Sequence, residues 1–584
     1  MKKKSLLVIL VLFLAMFIFV GCSNGVHIGD EPKEPTETEK IDIVGDEVEG
    51  STVDVEIKED TIESTFSLKN EDGEEVQSEN SIYTVTTAGT YTATGKLDEG
   101  QIYVNVLDGK VEIELKGVSI TNSTISPIYV LDCDTFTLKV KKNTTNYIYD
   151  NRTVDLSDST DETVGDAAIF VKNGDLKING TGTITVTSLY NSGIHGKDNV
   201  TIKNVTMLVK AMNNGIKGND KVTIEENPTI GIVCGNNGIR TSNSDMGSKA
   251  QHGYIYINGG TITINSYGDG IDAEYAVVIG TSTDDDGNTF VPVIDIYTNK
   301  YSSYTVNSAA NVSSSTSSVT VSNLGYYGPG GGRPPGGGFG GGGFGGGKSA
   351  EKADDSAKGI KANEEISITA GEIFIYAYDD GIHTNNDKLE TGVTASASIN
   401  ITGGTVKIKA SDDGIHADGT LSISGGTVYI SESHEGLEGN IINIEGGEVS
   451  VFSNDDGVNA GKAINISGGR LDVTVSPNGD TDGIDSNGTI TISGGITITR
   501  GPNSEMMAPM DSDGTMKMTG GSLIVVGYSP RRLSTSGVTK TTLSKGLSTG
   551  TFTVTIGELD ITYNNTNSYS GSVTVYGSTT ATIK

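Results

Sequence analysis

Tryptophan is absent from this 584-residue chain, and cysteine occurs three times. Cys22 lies at the end of an N-terminal apolar run, which leaves only Cys133 and Cys234 for the remainder. A disulfide framework is therefore excluded as the source of stability, and a buried core must supply it. Aromatic residues make up 6% of the chain and proline occurs 12 times. Basic residues are also scarce: 41 Lys and Arg stand against 74 Asp and Glu, for a net charge of -33. Such an acidic surface argues against nucleic acid as a partner. Residues 6–20 form the longest apolar run, which is short for a membrane-spanning helix. EF-hand spacing is missing, and His195, His383, His416 and His434 show no metal-ligand spacing along the sequence.

What the chain has in quantity is glycine, 79 residues of it, placed at regular intervals. The phrase Asp412-Asp413-Gly414-Ile415-His416 returns as Asp379-Asp380-Gly381-Ile382-His383 and Asn454-Asp455-Asp456-Gly457-Val458. Weaker copies are Asp269-Gly270-Ile271-Asp272 and Asp482-Gly483-Ile484-Asp485. Gly414 to Gly436 is 22 residues, Gly436 to Gly457 is 21 and Gly193 to Gly215 is again 22. In step with these run the pairs Gly403-Gly404, Gly425-Gly426, Gly446-Gly447, Gly468-Gly469, Gly494-Gly495 and Gly520-Gly521. Each pair separates two alternating β-branched and polar runs, which is strand patterning, and a glycine pair permits a sharp bend between them. One period then holds about three short strands and three bends. The fold expected is all-β: a parallel β-helix solenoid of about 22 residues per coil with capped ends.

Taken in order, Lys2-Lys3-Lys4 and the apolar run have the form of a secretory signal. Phe19-Val20-Gly21-Cys22 resembles a bacterial lipobox, with Phe19 in place of the usual Leu. Residues 1–22 are thus expected to be a lipoprotein signal with Cys22 lipidated, and acyl chains on it would anchor the protein stably. Residues 23–50 are acidic and poor in apolar side chains, which suits a flexible tether. Residues 51–584 are expected to form a single domain: first coils and a cap over 51–142, a charged excursion at 150–166, and a C-terminal cap over 535–584. Residues 281–357 are expected to be a long insertion. It carries a Gly/Phe-rich stretch with Phe339 and Phe344, whose composition suits a solvated linker.

The acids are the candidate functional residues. If Ile415 points inward, alternation sends Asp412 and His416 outward and Asp413 inward, unless a bend intervenes. Rungs stack at about 4.8 Å, where two carboxylates repel by about 3.5 kcal/mol at an effective dielectric of 20. Asp379, Asp380, Asp412, Asp413, Glu435, Asp455 and Asp456 fall on nearly consecutive rungs, with Asp418 and Glu438 a few residues on. Asp269, Asp272, Asp482 and Asp485 extend the series. Either some of these acids take up protons or cations fill the gaps, and Ca²⁺ is the cation expected for a hard-oxygen cluster outside the cell. The rival reading is a solvated face whose Asp and Asn serve the bends. His383 and His416 are expected to stack as a structural ladder and not to bind zinc.

The glycine-pair coils, the Asp-Asp-Gly-Ile columns and the lipobox resemble a family of bacterial surface proteins known as carbohydrate-binding-domain proteins. The resemblance covers about 51–584. It implies a right-handed, pectate-lyase-like parallel β-helix that binds plant cell-wall polysaccharide, pectin (polygalacturonate) and cellulose, with calcium. The chain is expected to be a monomer on the outer face of the bacterial membrane, held by the lipid on Cys22. Two other classes stay open. A calcium-dependent polysaccharide lyase would abstract a C5 proton with a Lys or Arg, for which Lys217, Arg240 and Lys361 lie on the same columns. A structural adhesin would share every feature above.

Overall fold

The computed structural model describes residues 62–152, 164–243, 252–298, 356–385, 396–479 and 481–584. The proposed signal, Cys22 and the acidic tether lie outside these residues, as do most of the 150–166 excursion and the Gly/Phe-rich stretch.

Ile194-type positions show how the chain is built. Ile194 pairs in parallel register with Ile216, then Ile239, Ile271, Ile360, Ile382, Ile415, Leu437, Val458 and Ile484. All ten side chains are fully buried. Each such burial is worth about 1.5–3 kcal/mol, so the inward columns are the main source of stability. Two further ladders run beside this one. Leu176, Val200, Val222 and Ile255 align in the second, and Val186, Val209, Ile232 and Ile264 in the third.

The bends do not divide these ladders into separate sheets. Lys221–Cys234 and Tyr254–Ser266 run through one corner, and Ile415–Ile423, Leu437–Ile444 and Val458–Ile466 run through another. Among the described residues the result is one continuous 42-stranded sheet, a closed barrel-like parallel wall around the main core. This corrects the right-handed parallel β-helix solenoid expected from the repeat and the resemblance. The period is also less constant than the glycine spacing suggested, because Ile271 pairs with Ile360 across a long intervening stretch. Within that stretch Val293–Thr298 rejoins the wall between Tyr254–Ser266 and Glu372–Ala377, so the insertion expected at 281–357 is interrupted by a core strand.

Antiparallel strands finish both ends. Ser67–Asn70 pairs with Gly89–Leu97. Ser572–Gly577 covers the edge of Ser522–Gly527 and is itself covered by Thr539–Leu543. A three-stranded antiparallel sheet of Gly550–Ile556, Leu559–Asn565 and Ala581–Ile583 packs beside it. Covering the last parallel strand removes an edge that would otherwise pair with another chain. Arg500, 1% exposed, ties this end together: its Nε donates to Asn565 Oδ1 at 3.0 Å and its Nη1 to Val473 O at 3.1 Å and Asp472 Oδ1 at 2.5 Å.

Candidate functional site

The residue after each inward isoleucine points outward, and the parallel register lines these residues up. Tyr129, Phe170 and His195 lie in the early part of the column and are buried. It then runs in the open through Lys217, Arg240, Asp272 and Lys361. His383, His416, Glu438, Asn459 and Asp485 continue it. Asp511 adds a last rung, since Asp511 N donates to Ile484 O at 3.0 Å. From Lys217 onward every member is half-buried. Nine steps at strand spacing make this a straight track of roughly 43 Å.

Beside the track lies the corner that contains the acids. A bend just before each isoleucine turns both members of the Asp pairs into the fold: Asp379, Asp380, Asp412 and Asp413 are 7%, 3%, 5% and 5% exposed. Simple alternation, which placed Asp412 outward, fails here because the segment before Ile415 is not extended. Gly381, Gly414, Gly436 and Gly457 superimpose, each amide donating to the carbonyl of the residue before the next corner glycine.

The second acid of each pair has a structural task. Asp380 Oδ1 accepts the Asp413 amide at 3.0 Å, Asp413 Oδ1 the Glu435 amide at 3.3 Å, and Asp456 Oδ1 the Asp482 amide at 2.7 Å. Asn237 and Asp269 do the same for the amides of Asp269 and Lys358. One oxygen of each carboxylate thus secures the next rung, and the other is left for the cluster.

The clusters differ in what neutralises them. Lys358 Nζ lies 2.7 Å from both Asp379 and Asp380, and His383 Nδ1 also binds Asp380. Burial favours the neutral acid at Asp380, but His383 and Lys358 outweigh it and hold its carboxyl well below the usual range. Burial and the Asp380 charge push Asp379 up. Further along, ligand atoms of Asp413, His416 and Glu438 lie within 4.8 Å of one another, as do those of His434, Glu435 and Asp455. Asp412, Asp413 and His434 form a linking group. Burial, then Asp413, raises Glu435 to about 7. Burial and a hydrogen bond with Asp413 raise Glu438 to about 8. Burial also raises Asp482 to about 7, with Asp456, Asp485 and Asp511 adding to it. His416 moves the other way from its burial: hydrogen bonds to Asp413 and Asp418 and the Glu438 charge raise it to about 10.

These residues fit a divalent cation best around Glu435. Its hydrogen-bond donor is Asn459 Nδ2 at 3.1 Å, and no Lys or Arg bridges it among the described residues. Asp413, Asp455 and Asp456 all press their charge upon it. Oxygen donors suit calcium, whereas the imidazoles of His416 and His434 bring a nitrogen to the rim of each cluster. At Asp379 and Asp380 Lys358 already supplies the positive charge. Asp269 and Asp272 stand apart, near Arg240, whose Nε is 3.4 Å from Asp272. Asp485 sits on the track, next to Asp482 of the corner.

The pKa shifts have a testable sign. An acid raised in the fold is held more firmly as the protonated form than in the unfolded chain. Its stabilising contribution is present below its ordinary value and is lost as pH rises to the folded value. For Glu435 and Glu438 the window runs from about 4.5 to about 7 and about 8. His416 loses its contribution between 6.5 and about 10, in the same direction. In chelator, the melting temperature is therefore expected to fall by several degrees from pH 5 to pH 8. Calorimetry showing a rise over that range would contradict these shifts.

Lys358 was missed by the sequence reading. Its signal was there: Lys358-Gly359-Ile360-Lys361 is in register with Asp380-Gly381-Ile382-His383, so a lysine stands in the slot of the second acid. His383 and His416 do adjoin, with ring centroids 4.5 Å apart. Lys217, Arg240 and Lys361 share one column with Asp272 among them.

The model of a family described as carbohydrate-binding domain-containing proteins matches residues 79–391, 384–439 and 437–583. A carbohydrate-binding domain-containing protein of Acetivibrio thermocellus is 33% identical over 199 residues, which span 34% of this chain and 68% of that one. Among solved structures, a polysaccharide lyase-like protein from C. thermocellum, in a gadolinium derivative, is 28% identical. That match covers 38% of this chain and 84% of the other, with a TM-score of 0.33.

Proposed function

The chain belongs to the family of carbohydrate-binding domain-containing proteins, and from that premise we propose that it binds an extended plant cell-wall polysaccharide along the outward column from Lys217 to Asp511. The observation that carries this reading is the single-file register of polar and charged side chains, which repeats at a fixed rise along a straight face. A linear polymer presents successive sugars at a regular interval, and such a track can contact each in turn. Pectin and cellulose are the polymers proposed.

Calcium is proposed at the corner beside this track, held by Asp413, Glu435 and Glu438 with Asp455 and Asp456. The support is the clustering of these buried acids, whose burial, with Asp413 beside them, pushes Glu435 and Glu438 into the neutral range. A bound ion would let these acids ionise and would offer positive charge to a polyuronate. Chelation of the purified chain is expected to lower its melting temperature. Calcium at 100 times its dissociation constant stabilises by about 2.7 kcal/mol, and Glu435→Gln together with Asp413→Asn should remove the difference. Pull-down on insoluble pectin and cellulose, with calcium and with chelator, tests the binding itself. No retention on either polymer at saturating calcium would end the reading.

Cys22 is proposed to anchor the chain to the outer face of the membrane, with residues 23–50 as tether. Cys22→Ser should move it from the membrane fraction to the medium.

A lyase is the second reading, favoured by Lys217. Burial, opposed by Asp166 and aided by Arg240 and Lys197, holds its amine below the ordinary lysine value, the direction a general base needs. Unsaturated product absorbance on polygalacturonate, abolished by Lys217→Met, would establish it. Its absence leaves the binding reading in place.

A further inference from the structure

The open track begins with three cations in four rungs: Lys217, Arg240 and, after Asp272, Lys361. In a protein of net charge -33 this clustering is unexpected, and like charges directly opposite on adjacent strands are destabilising. The wall does little to neutralise them. Asp166, which attracts Lys217, is bound at 2.6 Å by His195 Nδ1, whose Nε2 is held by Asn219 Oδ1 at 2.9 Å. Asp272 reaches Arg240 only through Nε at 3.4 Å and also accepts Asn237 Nδ2 at 2.7 Å. Among the described residues neither Lys217 nor Lys361 has a salt bridge or side-chain hydrogen bond. All three side chains are half-buried, and Arg240 Nε is buried and makes no hydrogen bond to the described residues.

We propose that Lys217, Arg240 and Lys361 form a recognition site for the acidic groups of successive sugars, so that the polysaccharide bound along this track is an anionic one gripped directly at this end without a metal. The inference rests on the binding reading above and narrows its ligand to acidic glycans. The three cations lie on one line, Lys217 and Arg240 on adjacent rungs and Lys361 two rungs on, with Asp272 between them placed to orient the Arg240 fork. Carboxylate and sulfate share the required chemistry, and both are included in the test. At the other end of the track the acids around Glu435 would repel the same polymer, so the grip must come from the Lys217 end whenever calcium is removed.

The test is affinity electrophoresis of the full chain in chelator. The gels contain polygalacturonate, its fully methyl-esterified form or dextran sulfate. The chain is expected to be retarded by polygalacturonate in chelator and not by the ester. Retardation by dextran sulfate as well would mean that the site reads negative charge in general, and its absence that it reads carboxylate. The double variant Lys217→Met, Arg240→Gln should bind at least about tenfold more weakly, with an unchanged melting temperature. Lys217→Arg should retain binding, and Lys517→Met, exposed elsewhere on the wall, should have no effect. Should the double variant fold poorly, Lys361→Met alone is expected to show the same direction of loss. Retention that occurs only with calcium, or that survives the double variant, would overturn this inference and leave polysaccharide binding standing. No retention under any condition would overturn both.

Discussion

Gly436→Val is expected to cost about 3 kcal/mol and to lower the urea midpoint of unfolding accordingly. A Cβ at this position would lie 2.1 Å from Val451 Cγ1 and 2.3 Å from Gly457 O. The carbonyl cannot give way, because it accepts the Leu437 amide at 3.0 Å. Backbone conformation is not the difficulty here, since Gly436 does not adopt a positive φ. The constraint is space, and it repeats up the corner: a Cβ at Gly381, Gly414 or Gly457 would meet the next glycine's oxygen at 2.5, 2.7 or 2.5 Å. Valine must therefore push two rungs apart at the place where the acid clusters and the track meet. The control is Gly461→Ala, whose Cβ would approach nothing nearer than Asn440 Oδ1 at 3.3 Å, and it should stay within about 0.5 kcal/mol of the parent. Equal effects of the two substitutions would show that the corner glycines are not needed for close approach.

The second large effect concerns Lys358, 12% exposed on its side chain. Lys358→Met is expected to cost about 3–5 kcal/mol, because it leaves Asp379 and Asp380 buried and facing one another with only His383 in attendance. Asp380→Asn should cost about 3 kcal/mol by removing one of the two carboxylates on Lys358. The asparagine keeps an oxygen for the Asp413 amide, so the loss reports charge and not the rung contact. Combining Lys358→Met with Asp380→Asn should recover a large part of the sum, since the Asp379 carboxylate left behind then faces a neutral neighbour. Strictly additive losses in this cycle would mean that the two residues do not act as a pair. Asp380 also sets an acid limit. Its carboxyl is depressed in the fold, so its contribution is present above the ordinary value of 3.8 and is lost as pH falls toward the depressed one.

Much of the wall was legible beforehand. Ile415 was read as inward and is fully buried, as are Ile423 and Ile430 on the alternating strands that follow it. Each glycine pair was read as a bend, and its second member, Gly404, Gly426, Gly447, Gly469, Gly495 or Gly521, adopts φ between 67° and 79°. The description of the architecture needed correction, because nothing in a bend signal says whether strands on either side of it remain one sheet. Lys221–Cys234 passes its corner unbroken. The site was legible in part. Asp379, Asp380, Asp412, Asp413, Glu435, Glu438 and Asp455 come together across rungs, whereas Asp269 and Asp272 stand apart, and Lys358 and the amide contacts of the second acids were invisible to a search for carboxylates alone.

Local composition, then, determined the inward apolar columns, the glycine corners and the rungs on which the acids fall, because side-chain period and backbone freedom are properties of a few neighbouring residues. Only the tertiary structure decided which charge meets which. Lys358 reaches Asp379 and Asp380, and Lys217 stacks on Arg240, through pairing between segments separated by stretches of unequal length. A contact across rungs depends on that register and on how the bend before each isoleucine turns the acids inward, and neither is written in the spacing of one repeat.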